Sequence, residues 1–137
     1  GYAVKLDTNG YRPDVMKALV EEGLVDYVAM DIKNSPAQYA KTCGLSSVRF
    51  SAFEESVELI KSSGLPYEFR TTVTKELHTP QDIAAIAEWI KGAKRYFLQN
   101  FIDSGDMVGT GNSPVPPAIL AEMRQRAQDI VGEVMVR

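Results

Sequence analysis

The chain has 137 residues, 45% of them hydrophobic and 24% charged, with a formal net charge of −3. That length suits one globular domain with a buried core. The mild acidity, without any Lys/Arg stripe, argues against a nucleic-acid footprint, and no apolar run approaches the ~20 residues that span a bilayer. No charged-then-apolar leader is visible. One cysteine, Cys43, excludes an internal disulfide and a cysteine-only metal cage, and it fits a reducing, cytoplasmic setting.

Short β-like runs alternate with amphipathic helical stretches along the chain. It opens as a strand over Ala3–Thr8 without an initiator methionine, so a piece of a longer protein is expected. Pro13 suits a first helical turn and Gly23 a position just past a helix end, which predicts a helix between them. Asp26-Tyr27-Val28-Ala29-Met30-Asp31-Ile32-Lys33 alternates too regularly for a helix and reads as the second strand. After a polar loop, Ser51-Ala52-Phe53-Glu54 has the form of a capping box opening a helix through Ile60, closed by Gly64. Tyr67–Val73 is the third strand. Thr79-Pro80-Gln81-Asp82 starts a helix with Ile83, Ile86 and Ile90 on one face, ending near Gly92. Arg95–Phe101 is the fourth strand. A Gly-rich loop from Ser104 to Asn112 leads to a helix carrying Ile119, Leu120, Met123, Ala127 and Ile130, and Val134-Met135-Val136 adds a short last strand. Strand–helix units in succession imply an α/β fold: a parallel sheet with right-handed crossovers, in a single domain over 1–137.

In a parallel sheet covered on both faces the strands should be nearly continuous in apolar residues. These are not. With period two, Lys5 and Asp7 share a face of the first strand; Ala29, Asp31 and Lys33 share one on the second; Glu68, Arg70 and Thr72 share one on the third. Gln99 lies opposite Leu98 on the fourth. Charges are rarely buried without partners, so this face is either a salt-bridge network or a polar site inside a barrel. Barrel sites gather at the C-terminal strand ends, where Asp7, Asp31 and Lys33 fall. A site is the favoured reading.

Four segments occur in order: Lys5-Leu6-Asp7-Thr8-Asn9-Gly10, Asp26-Tyr27-Val28-Ala29-Met30-Asp31-Ile32-Lys33, Glu68-Phe69-Arg70-Thr71-Thr72-Val73, and Leu98-Gln99 with Phe101. Together they resemble the activating enzymes of glycyl-radical proteins, within the radical S-adenosylmethionine enzymes. The resemblance is strongest to the anaerobic ribonucleoside-triphosphate reductase activating proteins, with the pyruvate formate-lyase activating enzymes as relatives. It implies a partial, TIM-like (β/α) barrel, here truncated on its N-terminal side, with about four to five parallel strands and helices on one face. It also implies a 4Fe–4S cluster held by a three-cysteine motif, with S-adenosylmethionine on the open iron. Reductive cleavage there yields a 5′-deoxyadenosyl radical that takes hydrogen from a glycine of the partner enzyme. A glycyl-radical enzyme and an electron donor such as flavodoxin or ferredoxin are the implied partners. The CxxxCxxC segment is absent from this chain, and Cys43 alone cannot replace it. The chain is therefore expected to be the C-terminal portion of such a barrel, without a cluster and inactive by itself.

Carried onto this sequence, the resemblance implies cofactor-binding roles for Asp7, Thr8, Asn9, Asp31, Lys33, Arg70 and Gln99, and a monovalent cation near Asp7, Thr8 and Asp31. Each has a plainer alternative. Asp7-Thr8-Asn9-Gly10 also reads as a strand-ending turn, Lys33 as a solvated lysine, and Arg70 as a partner of Glu68. Some relatives place a histidine where Phe101 stands here. His78 reads as a loop histidine, Cys43 as an incidental thiol, and the Gly105–Asn112 loop as a cover over a peptide or merely a mobile connection. Two other function classes remain open at this point. One is a phosphoryl-transfer enzyme with Asp7 as nucleophile, weakened because Asn9 stands where a second Asp is wanted. The other is a non-catalytic module that recruits a partner at exposed sheet edges.

Overall fold

The computed structural model describes residues 2–102 and 111–137. Five strands, β1 (Lys5–Thr8), β2 (Tyr27–Asp31), β3 (Tyr67–Val73), β4 (Tyr96–Asn100) and β5 (Val134–Val136), form one sheet in the order β1-β2-β3-β4-β5. Every pairing is parallel. Parallel neighbours need a crossover, and helices supply it. These are α1 (Pro13–Glu21), α2 (Tyr39–Thr42), α3 (Phe50–Ser62), α4 (Pro80–Trp89) and α5 (Pro117–Gln128). The α/β partial-barrel expectation holds. The Gly-rich loop read from the sequence lies mostly within residues 103–110, outside the described residues.

The helices cover one face. Val28, Met30, Phe69, Val73, Tyr96 and Leu98 point into a core with Met16, Val57, Ile60, Ile83, Ile86 and Met123, all nearly inaccessible to solvent. Each buried aliphatic or aromatic side chain of this kind contributes about 1.5–3 kcal/mol relative to exposure. The other face carries Lys5, Asp7, Asp31, Glu68, Arg70, Thr72 and Gln99, as the alternation predicts.

The helix signals hold in two places and fail in one. Pro13 opens α1 and Gly23, at φ +72°, follows its end. Thr79 caps α4 by a full capping box: its hydroxyl accepts from the Asp82 N–H, and the Asp82 carboxylate accepts from the Thr79 N–H. Ser51, by contrast, is not a cap. Helix α3 starts two residues earlier than such a cap would set, at Phe50, with Arg49 at its N-cap position and no side-chain capping bond. Aromatic packing sets that start: the Phe50 ring lies 4.8 Å from Trp89 and 5.6 Å from Tyr39, centroid to centroid.

The polar loop after β2 also differs from expectation. It folds into a 3-10 turn, Pro36–Gln38, and the short α2, because Tyr39 is fully buried there. Strand β2 stops at Asp31, two residues short of the expected end, so Lys33 lies beyond the ladder. Only the Ile32 N–H continues it, donating to the Arg70 carbonyl at 2.7 Å.

Candidate functional site

Four of the residues singled out in the sequence meet at the C-terminal ends of β2, β3 and β4. Asp31, Lys33, Arg70 and Gln99 line a cavity of about 350 Å³ together with Thr72 and His78. That volume is in the range of small-molecule sites. Its walls carry both signs of charge.

Arg70 organises the carboxylates. Its Nη1 is 3.2 Å from Asp7 and its Nη2 3.0 Å from Asp31, while Nε donates to Asp31 at 3.1 Å. Nη2 and Nε converge on one oxygen, Asp31 Oδ1, while Nη1 reaches Asp7, so a single planar guanidinium serves two carboxylates at once. The guanidinium is mostly shielded, at 16% side-chain exposure, whereas Asp7 is 61% and Asp31 40% exposed. Register explains the reach. Asp7 pairs with Ala29, not with Asp31, so the two carboxylates sit at different heights and Arg70, opposite Asp31, spans them diagonally.

The Arg70–Glu68 pair weighed as the plain alternative does not form. Glu68 is buried, at 3% exposure. Its Oε1 accepts from the Tyr27 hydroxyl at 2.8 Å. Its Oε2 lies 3.3 Å from Arg137 Nη1, an ion pair without hydrogen-bond alignment. Burial, and then the Glu68 carboxylate, raises the Tyr27 hydroxyl above its ordinary pKa.

Thr8 and Asn9 do not join the cavity. The Thr8 hydroxyl accepts from the Gly10 N–H and the Asn9 side chain from the Tyr11 N–H, each at 3.0 Å. Both therefore serve the strand-ending turn. Asn9 does border a second, more apolar hollow of about 290 Å³ with Tyr11, Tyr39, Phe53 and Lys33. Lys33 thus stands between the two hollows. Cys43 is exposed at the rim of the second.

Sequence reasoning missed how the exit of β2 is held. The Lys33 N–H donates to the buried Tyr39 hydroxyl at 3.1 Å. The Thr71 hydroxyl donates to the Ile32 carbonyl at 2.7 Å and accepts from Tyr96. Buried Asn34 donates to the Thr42 hydroxyl and the Leu77 carbonyl, each at 2.9 Å. Burial raises the Tyr39 and Tyr96 hydroxyls above their ordinary pKa, so both stay protonated and able to donate.

His78 is not the ordinary loop histidine of the sequence reading. It is 4% exposed, and its Nδ1 accepts from the Thr74 N–H at 3.1 Å. Its Nε2 lies 2.8 Å from the Lys33 carbonyl. An accepting Nδ1 leaves the proton on Nε2, so the ring is the neutral Nε2–H tautomer. Burial holds its pKa below the usual histidine range. The only sequence signal was its place just before the Thr79 cap.

No family model matches the chain. A protein of Methanocaldococcus jannaschii, named provisionally as a glycyl-radical enzyme activating enzyme, is 31% identical over 104 residues. Those residues are 74% of this chain and 43% of the relative, so the match spans less than half the relative's length. The chain is related to the glycyl-radical enzyme activating enzymes. A solved domain of the pyruvate-formate lyase-activating enzyme from Bacteroides vulgatus superposes with a TM-score of 0.75 at 12% identity, over the whole of this chain and 82% of that domain. At that identity the likeness shows the fold alone: a parallel five-stranded sheet with helices on one face, as in that domain.

Its single cysteine cannot meet the several thiolates that a 4Fe–4S cluster requires, so the cluster does not fit this chain's own residues. Among the described residues no group of three or more His, Cys, Asp or Glu side chains is placed to hold a metal ion. Between Asp7 and Asp31, where the resemblance implies a monovalent cation, the positive charge in this structure is the Arg70 guanidinium.

Proposed function

We propose that this chain is the S-adenosylmethionine-binding part of a radical activating enzyme whose protein substrate is a glycyl-radical enzyme. The observation that carries the reading is the cavity at the ends of β2–β4. In a chain related to activating enzymes, it sets Lys33, Asp31, Arg70 and Gln99 around one volume. A bound amino-acid zwitterion needs both a cation for its carboxylate and an anion or carbonyl for its ammonium, and this lining offers both. Lys33, beyond the end of β2 and with no ion pair to its ammonium among the described residues, is the donor for the carboxylate or ribose hydroxyls. Asp31, held by two guanidinium nitrogens, is a fixed acceptor, and Gln99 closes the β4 side. Asp7 acts through Arg70, whose orientation it helps set.

Bound S-adenosylmethionine supplies the radical chemistry, at a cluster whose cysteines this chain does not contain, with an electron from a donor of the flavodoxin or ferredoxin kind. The chain's own contribution is to bind, orient and shield. Titrating the chain with S-adenosylmethionine, followed by calorimetry and by ¹H–¹⁵N spectra, tests this directly. Saturable shifts confined to Asp31–Lys33, Arg70 and Gln99 are expected. Absence of binding, or shifts clustered elsewhere, would overturn the proposed ligand.

A further inference from the structure

The exit of β2 is satisfied on every backbone polar group of Ile32 and Lys33, and His78 closes the set. The Ile32 N–H goes to the Arg70 carbonyl, the Ile32 carbonyl to Thr71, the Lys33 N–H to Tyr39, and the Lys33 carbonyl to His78. Three of these four partners are side chains of buried residues drawn from β3, α2 and the turn before α4. A two-residue segment past the end of a ladder would normally be free to turn. Here it has no unpaired backbone group with which to do so.

We infer that His78 is a positioning residue for the cavity: by holding the Lys33 carbonyl it fixes the direction in which Lys33 leaves β2, keeping the Lys33 ammonium and the Asp31 carboxylate on the same volume. The imidazole is suited to this because it is anchored at its other end. The Thr74 N–H, at the end of β3, sets the ring plane and the tautomer, and the Nε2–H then has a fixed direction. The link thus ties the β3–α4 turn to the β2 exit, two elements far apart in sequence. His78 also lines the cavity, as Lys33 and Arg70 do. Removing the ring would leave the Lys33 carbonyl and the Thr74 N–H without these partners. Leaving those buried groups unsatisfied carries a desolvation cost, which a shift of the strand exit toward other partners would relieve.

The inference rests on the proposed ligand only for its functional consequence, so its test has two separable readouts. In wild-type protein, ¹⁵N spectra of His78 should report the Nε2–H tautomer, with a slowly exchanging ring proton. In His78→Leu, the Lys33 carbonyl ¹³C and Asn34 ¹⁵N resonances should move while Ile83, Ile86 and Leu98 keep their native shifts. Hydrogen exchange at Lys33 should quicken about tenfold or more. His78→Gln keeps an N–H donor for the Lys33 carbonyl and should restore most of the protection. With S-adenosylmethionine as probe, His78→Leu should weaken binding about tenfold or more, and adding Lys33→Ala to it should cost less than Lys33→Ala costs in wild type. The inference is overturned if the Lys33 and Asn34 signals are unchanged in a folded His78→Leu, if the ring is the Nδ1–H tautomer, or if His78→Gln rescues nothing. Should wild-type protein bind no S-adenosylmethionine while these spectra change as expected, the proposed ligand falls and the positioning role stands.

Discussion

At the scale of single residues, the site divides into a ligand-facing cation and an internally committed one. The Lys33 ammonium is exposed and faces two hollows, whereas Arg70 is spent on Asp7 and Asp31. Their substitutions should therefore read out differently. Lys33→Ala removes a charge-assisted contact worth about 1.5–3 kcal/mol, a roughly ten- to hundredfold loss in S-adenosylmethionine affinity, with the melting temperature nearly unchanged. Arg70→Ala leaves Asp31 without its cation, while Lys5 remains 4.0 Å from Asp7, and should lower stability by about 1–3 kcal/mol, discounted from the fully buried case because both carboxylates are partly solvated. Double-mutant cycles in urea should give Arg70 a larger coupling to Asp31, which it grips with two nitrogens, than to the more exposed Asp7. Equal couplings would contradict the geometry.

His78 adds a pH dependence whose sign follows from its surroundings. Burial lowers its folded pKa below the ordinary value of 6.5, the Lys33 and Thr74 backbone groups and Asp82 opposing only in part. The unfolded chain therefore takes up the proton first on acidification. Stability is highest with the ring neutral in both states, above the unfolded value, and falls as pH drops below about 6.5 toward the folded pKa. Urea midpoints between pH 7.5 and 5 should show this decline, and His78→Gln should flatten that part of it.

At the scale of elements, similar-looking signals at two helix starts have opposite fates. The Thr79 hydroxyl makes its capping bond, so Thr79→Ala should cost about 0.5–2 kcal/mol. Ser51 lies inside α3 and makes no cap, so Ser51→Ala should change thermal stability little. A box motif states only that the donors and acceptors are available. Whether a helix begins there depends on what the next aromatic packs against, and Phe50 had Trp89 and Tyr39 to meet. The turn after β1 is a second element-scale case. Gly10 sits at φ +76°, and an added Cβ would collide with the Met30 side-chain tip. Gly10→Ala should destabilise by about 1–3 kcal/mol, from the positive φ and the displaced Met30 together. The Gly10 carbonyl also accepts from the buried Ser56 hydroxyl at 2.6 Å, so the damage should reach α3, visible as faster exchange at Ser56 and Val57.

At the scale of the whole molecule, the sheet ends on two short strands, β1 and β5, each paired on one side among the described residues. Tyr2 and Val4, at the β1 side, are exposed apolar residues. An unpaired edge flanked by apolar surface pairs with whatever strand is offered. Sedimentation of this chain should show the average mass rising with concentration; a strict monomer at high concentration would count against that. Anaerobic iron and sulfide reconstitution should leave the chain colourless, one thiolate being too few for a cluster.

The sequence by itself determined the α/β class, the parallel sense of the sheet and its two faces, because alternation and crossover length act locally; the order of the strands is a finding of the structure. It placed Lys5 and Asp7 on one side of β1 and Leu6 on the other without reference to anything distant. It also put Asp31, Lys33, Arg70 and Gln99 on the candidate list, since charge on a parallel strand is conspicuous against an apolar background. Only the tertiary structure decided which of them meet. Strand register lowers Asp7 relative to Asp31 and hands both to Arg70, while Glu68 turns instead to Tyr27 and Arg137. Thr8 and Asn9 were conspicuous too, yet their side chains are consumed by the turn they sit in. His78, Tyr39 and Asn34 were inconspicuous. Their work is to satisfy backbone groups on elements far away in sequence, and a backbone carbonyl left open at a strand exit has no signature in the residue that owns it.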